Sequence, residues 1–121
     1  MSKILLALIS FFFIFSGKAK GQTELAANKF HWEIRRGVTV VEFWAGWNRG
    51  NEILFLHELD NCRVFRHVIR RDRSLLDEFN VTATPTLIVF KDGYEEFRFA
   101  PNIMLKVTAT KQQVQSAIDD L

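Results

Sequence analysis

The sequence predicts a single α/β domain with a mixed central sheet and helices on both faces. Two apolar runs rich in β-branched and aromatic residues, at positions 38–45 and 84–90, are typical of strands buried on both faces of a sheet. Segments with helical spacing alternate with such runs, and the turn Lys91-Asp92-Gly93 leads from the second run into a further strand. Alternating strands and helices followed by a hairpin indicate a mixed sheet.

The first half of the chain predicts a helix, a strand and a second helix. Residues 24–35 predict the first helix, which Gly37 ends, from the near-helical spacing of Leu25, Ala26, Phe30 and Ile34. Residues 38–45 form the first buried strand, in which Glu42 is the exception to an apolar run. Residues 52–60 predict a short second helix with Asn48 or Asn51 as its N-cap.

The second half predicts three more strands and two helices. A strand is expected within residues 64–69, followed by a short helix that Ser74 caps and Asn80 ends. The buried strand at 84–90 and an edge strand at 94–100 come next. The last helix begins with Thr110 as its cap and is expected to bury Val114, Ala117, Ile118 and Leu121.

Residues 1–21 have the pattern of a secretory signal peptide. Lys3 precedes an apolar run from position 4 to 15 that only Ser10 interrupts, and the small residues Ala19 and Gly21 follow. This run is too short to span a bilayer as a helix, which needs about 20 residues. We expect cleavage after Gly21, so that residues 22–121 form an exported domain, periplasmic or secreted, with no stable membrane anchor. An uncleaved anchor and a buried first strand are the alternatives.

The charge balance argues against a nucleic-acid ligand. Of the 16 Lys and Arg residues, Lys3, Lys18 and Lys20 lie in the predicted signal peptide, which leaves 13 against 14 Asp and Glu residues. Five arginines lie within residues 63–73, but they alternate with apolar residues. This alternation favours a solvated strand face and turn over a nucleic-acid site.

Cysteine and histidine usage predicts neither a disulfide nor a metal site. Cys62 is the only cysteine, so no internal disulfide can form. His31, His57 and His67 stand apart, and no Cys/His spacing is that of a zinc site. We therefore expect no metal ion and no cofactor.

Two motifs, in the right order, resemble the thioredoxin family. FWAGW at residues 43–47 matches the family's F-W-A-x-W, and Asn48-Arg49-Gly50-Asn51 stands where the family has Cys-Gly-Pro-Cys. Farther on, VTATPTL at 81–87 and FKDG at 90–93 match the family's cis-proline, strand and turn. The resemblance covers nearly all of residues 22–121 and implies a thioredoxin-like fold. The stretch from 51 to 64 is shorter than in typical thioredoxins by roughly two helical turns.

The degenerate motif removes the chemistry of the family. Thioredoxin-type exchange needs a thiolate at a helix start and a second thiol that resolves the mixed disulfide. Asn48 and Asn51 carry amides that neither ionise near neutral pH nor attack sulfur, which excludes dithiol–disulfide exchange by this motif. Asparagine does cap helices, so we expect the local backbone to survive the loss.

The resemblance also assigns expectations to Glu42, Arg66 and a peptide groove. Glu42 stands where relatives have a buried aspartate and Arg66 where they have a lysine, and a structural ion pair between them is expected because a buried carboxylate is costly unless paired. Trp44 is expected to pack in the core. The candidate peptide-binding residues are an exposed Trp47 and a cis Thr84–Pro85 unit that turns the backbone of Thr84 outward.

These observations leave three hypotheses for function. The first is a non-catalytic module that binds an extended segment of another exported protein. The alternative is a thiol–disulfide redox protein that works through Cys62 alone. The third is an anion site at the start of the predicted second helix, where Arg49 and Gly50 lie.

Overall fold

A computed structural model describes residues 23–121, so the predicted signal peptide lies outside the described residues. One mixed sheet contains five strands, β1 (Thr23–Glu24), β2 (Val38–Ala45), β3 (Arg63–Ile69), β4 (Thr86–Lys91) and β5 (Tyr94–Phe99). Their order across the sheet is β1-β3-β2-β4-β5. Within residues 23–121 three α-helices accompany them, α1 (Ala27–Ile34), α2 (Ser74–Glu78) and α3 (Lys111–Asp119). The predicted mixed sheet is confirmed.

The central strand β2 is buried on both faces because two separate apolar clusters cover it. It pairs in parallel with β3 and antiparallel with β4. Val41 and Phe43 belong to the cluster beneath α1 and α2, whereas Val40 belongs to the cluster beneath α3. Covering both faces explains why the apolar run of β2 does not alternate with polar residues.

The turns at Gly37, Asn80 and Gly93 and the helix cap at Thr110 lie where the sequence predicted them. Gly37 ends α1 with a positive φ of 69°, and Asn80 follows α2 with a φ of 53°. Asp92 and Gly93 both have positive φ in the turn between β4 and β5, as hairpin turns of this length favour. Thr110 forms a capping box with Gln113 at the start of α3.

The predicted second helix was wrong. Residues 49–62 contain a single 3₁₀ turn, Leu56–Glu58, and otherwise form no regular structure. Ile53, Leu56 and Leu59 are buried in this segment, and their spacing of three mimics a helix.

Two smaller predictions were also wrong. Ser74 is the first residue of α2 rather than its cap, and the Asp72 carboxylate accepts a hydrogen bond from the Ser74 N–H at 3.0 Å. The first helix begins at Ala27, not at residue 24, because the preceding residues pair with β3 as the short strand β1. Leu25 continues this pairing, since its N–H donates to the Arg66 carbonyl.

No helix within residues 23–121 has the length and apolar character that a bilayer crossing requires.

Candidate functional site

Amide hydrogen bonds hold the turn at residues 48–51. Gly46–Asn48 forms one 3₁₀ turn after β2, and the Asn51 N–H donates to the Asn48 carbonyl at 3.2 Å. The side chain of Asn48 is buried, its Nδ2 donates to the Thr84 carbonyl, and its Oδ1 accepts from Asn51 Nδ2. Neither asparagine caps a helix, so that prediction was wrong. Asn48 instead joins the turn to the loop before β4.

A small cleft lies beside this turn, where the parallel strands β2 and β3 end. Its volume is about 140 Å³, and we call it the Trp47 cleft. The lining residues come from three separate parts of the chain: Ala45, Trp47, Ile69, Arg73, Leu76, Thr82, Ala83, Thr84 and Leu105. Trp47 is 71% exposed at this cleft. The carboxyl ends of parallel strands are where open α/β sheets place their ligands.

The structure brings Trp47 and Thr84 together but leaves Pro85 out of the cleft lining. Thr84 and Pro85 are both buried, and their peptide bond is cis. Thr84 is only 4% exposed, and its hydroxyl has no hydrogen-bond partner among the described residues. The predicted outward-facing Thr84 was therefore wrong in part, because its carbonyl already accepts a hydrogen bond from Asn48. Its hydroxyl oxygen is not accessible to solvent, so Thr84 lines the cleft through its other atoms.

A loop at residues 102–106, which no predicted element covers, completes the cleft. The Asn102 carboxamide oxygen accepts hydrogen bonds from the N–H groups of Met104 (2.9 Å) and Lys106 (3.1 Å). Leu105, which lines the cleft, has a φ of 58°, a conformation that costs a residue other than glycine about 1–2 kcal/mol. Ile103 is fully exposed and Met104 is 67% exposed. Three consecutive apolar residues outside any predicted element were the one available clue.

Glu42 and Arg66 form an ion pair on adjacent strands, away from the cleft lining. The Arg66 Nε lies 2.9 Å from one Glu42 oxygen, and the Ile53 N–H donates to the other at 2.8 Å. Glu42 is completely buried, and this burial raises its pKa despite the opposing effects of the Ile53 hydrogen bond and the Arg66 charge. With both oxygens engaged, Glu42 acts as a structural anchor for the irregular segment after β2.

Trp44 extends this pair. The Arg66 guanidinium carbon lies 4.9 Å from the centre of the Trp44 ring, a cation–π arrangement. Trp44 is half-buried rather than fully in the core, and its indole N–H has no partner among the described residues. Its packing against Arg66 is a structural contact.

Cys62 lies at the opposite end of the sheet from the cleft. It precedes β3, next to the residues that pair with the start of β2, and it packs against the apolar cluster beneath α3. Burial, aided by the charges of Asp60 and Asp119, raises the pKa of its thiol to about 11. A thiol with such a pKa is almost entirely protonated at neutral pH, which makes it a poor nucleophile.

The other candidate sites are not assembled either. No α-helix starts near Gly50, and its N–H donates to the Glu52 carboxylate at 2.8 Å, so the predicted anion site at a helix start was wrong. Of the five arginines in residues 63–73, three are paired with acids: Arg63 with Glu33, Arg66 with Glu42, and Arg70 with Glu24. Within residues 23–121, no group of three His, Cys, Asp or Glu side chains is placed to hold a metal ion.

No protein-family model matches the sequence, and no curated protein matches it. Solved structures, by contrast, resemble it over most of its length. A thioredoxin variant from Halobacterium salinarum is 16% identical, with a TM-score of 0.64 over 82% of this chain and 88% of its own. Mitochondrial thioredoxin 3 from Saccharomyces cerevisiae is 20% identical, with a TM-score of 0.61 over 83% of this chain and 95% of its own.

A third match comes from work on the thiol-resolving mechanism of yeast mitochondrial 1-Cys peroxiredoxin through the glutathione and thioredoxin systems. It is 21% identical, with a TM-score of 0.62 over 84% of this chain and 96% of its own. At these identities the similarity establishes the fold alone. The present chain has a single cysteine, Cys62. The chain has a thioredoxin-like fold without the paired cysteines of a Cys-x-x-Cys site.

Proposed function

We propose that this protein is an exported, non-catalytic module that binds an extended segment of another protein at the Trp47 cleft. One observation carries the proposal: the indole of Trp47 is 71% exposed beside a cleft at the carboxyl end of the sheet. Exposed tryptophans that adjoin a concave surface are typical of the residues that dominate protein-binding energy. Its export is proposed from the signal-peptide pattern of residues 1–21.

The apolar surface around the cleft is larger than Trp47 alone. The loop at residues 102–106 contacts the turn, since Asn51 Nδ2 donates to the Met104 carbonyl at 3.4 Å. It adds the exposed side chains of Ile103 and Met104 beside the cleft-lining Leu105. A bound segment can bury these side chains together with the indole, which favours association through the apolar area removed from water.

A main-chain acceptor beside the cleft suits a peptide rather than a purely apolar ligand. The Thr84 carbonyl accepts from Asn48 and retains a second lone pair for a peptide N–H. No thiol lines the cleft, so binding there requires no redox chemistry.

The test compares two exposed tryptophans. Partners are captured from exported proteins of the source organism with the native protein, and their affinities are then measured for the native protein, Trp47→Ala and Trp32→Ala. Trp32 is 63% exposed on α1 and is the matched control, because it presents a similar indole outside the cleft. We expect Trp47→Ala to weaken binding by about 2 kcal/mol or more, roughly thirtyfold in Kd, with the fold intact.

Trp32→Ala is expected to bind as the native protein does. A partner that binds Trp47→Ala and the native protein equally well would exclude the Trp47 cleft as its binding site.

A further inference from the structure

We infer that the segment bound at the Trp47 cleft is acidic as well as apolar, an inference that rests on the proposed function. Two cations lie at the cleft, and we call them the cationic rim: Arg73 and Lys106. Arg73 lines the cleft, and Lys106 follows the cleft-lining Leu105 in the loop at residues 102–106. Both are exposed. Among residues 23–121, neither of them forms an ion pair within 4.0 Å.

The acid next to Arg73 in the sequence does not pair with it, because the Asp72 carboxylate accepts a hydrogen bond from the Ser74 N–H and so stabilises a main-chain turn. Arg49, by contrast, interacts electrostatically with Glu52 and is not part of the rim. Elsewhere on the sheet, arginines have carboxylate partners, as Arg66 has Glu42 and Arg98 has Glu95. The rim thus presents positive charge without a partner beside an apolar surface.

Unpaired cations beside an apolar surface favour a ligand that is both acidic and apolar. A segment with carboxylates on either side of an apolar centre would place the apolar residues against Trp47 and the carboxylates against the rim. A basic segment would meet like charges, which costs affinity and gives specificity. A protein segment fits better than a nucleic acid because the cleft beside the cations is lined by apolar side chains, among them Ile69, Leu76 and Leu105.

The experiment uses three short fluorescent peptides with one shared apolar centre, Leu-Phe-Val, flanked by Asp and Glu, by Ser and Gly, or by Lys and Arg. Fluorescence anisotropy measures their binding to the protein, to Trp47→Ala, and to a rim variant, Arg73→Gln with Lys106→Gln. The matched control is Arg35→Gln with Lys91→Gln, which removes the same charge at the opposite end of the sheet. All measurements are made at low and high salt.

We expect the acidic peptide to bind about tenfold more tightly than the neutral one at low salt, with the basic peptide weakest. High salt and the rim variant should each remove this preference, whereas the control variant should keep it. Binding of all peptides should weaken in Trp47→Ala.

The outcomes separate the inference from the proposed function. Equal binding of the acidic and neutral peptides, still weakened in Trp47→Ala, would overturn the inference and leave the proposed function standing. A charge preference that survives in the rim variant would overturn it as well. If none of the three peptides bound, both the inference and the proposed function would be contradicted. The same would hold if the peptides did not bind but a single-stranded RNA, or vesicles of anionic phospholipid, bound through the cationic rim.

Discussion

The side chain of Asn48 makes hydrogen bonds through both its nitrogen and its oxygen, to Thr84 and Asn51. It is buried at the position where the resembled family carries its first cysteine. A reactive side chain there must be accessible to substrate, whereas this amide is engaged inside the protein. The residue therefore supports the backbone of the turn.

Cys62 is expected to react slowly in the folded protein. Because its pKa is raised from 9.0 to about 11, its thiolate fraction at neutral pH falls about a hundredfold. Alkylation of Cys62 should be correspondingly slow in the native protein and normal after unfolding in urea, which is the matched control in the same chain. The native protein should also show no insulin-type disulfide reductase activity above a blank. Rapid native labelling, with turnover lost in Cys62→Ser, would restore the redox hypothesis.

Glu42 and Arg66 are expected to behave as a coupled pair in unfolding experiments. Arg66→Met leaves a fully buried carboxylate without its charge partner, which should cost on the order of 3 to 5 kcal/mol of unfolding free energy. Replacing both residues, Glu42→Leu with Arg66→Met, should cost much less. Denaturant unfolding of both single variants and the double variant measures the coupling, and additive losses would show that the side chains do not interact.

The same pair predicts a pH dependence with a definite sign. Burial raises the pKa of Glu42 in the folded state, so the folded protein holds that proton more tightly than the unfolded chain. The contribution of this group to stability is therefore present at acidic pH and is lost as the pH rises through the raised pKa. Accordingly, the deficit of Arg66→Met should shrink as the pH is lowered toward the protonation of Glu42.

At the scale of elements and loops, two segments without regular structure shape the site: residues 49–62 and residues 102–106. The segment after β2 is fixed by the Ile53 N–H bond to Glu42 and by the burial of Leu56. The loop at residues 102–106 is fixed by Asn102, whose N–H also donates to the Lys106 carbonyl at 2.9 Å. In each segment a polar side chain accepts main-chain N–H groups: Glu42 accepts that of Ile53, and Asn102 accepts those of Met104 and Lys106.

Asn102→Ala should loosen the loop without unfolding the domain. The variant loses two hydrogen bonds from the Met104 and Lys106 N–H groups, which we expect to lower stability by about 1 kcal/mol because the site is exposed. Hydrogen exchange of these two amides should accelerate, and binding at the Trp47 cleft should weaken. Asn102→Asp keeps an acceptor oxygen and is the control that should retain their protection. Unchanged exchange in Asn102→Ala would mean that the side chain does not organise the loop.

At the scale of the whole molecule, most of the fold was predictable because most sequence patterns fit only one kind of element. The apolar runs of β2 and β4 fit only buried strands, and the cap at Thr110 fits only a helix start. The segment after β2 was mispredicted because the spacing of Ile53, Leu56 and Leu59 fits a helix and an irregular segment equally well. Trp47 and Thr84 were identified from the motifs, whereas Arg73 and Leu105 reach the cleft only through the tertiary fold. Contacts of that kind leave no local signal.

The central claim, that the cleft at the carboxyl end of the sheet is a binding site and not a redox site, is tested most directly by photo-crosslinking. A benzophenone amino acid replaces the fully exposed Ile103 beside the cleft or, as the matched control, the exposed Tyr94 at the opposite end of the sheet. Each protein is irradiated with exported proteins of the source organism. We predict a discrete crosslinked product from position 103 that disappears when Trp47→Ala is added and that does not form from position 94. Products of equal yield from both positions, or a product from position 103 that is unaffected by Trp47→Ala, would contradict the account.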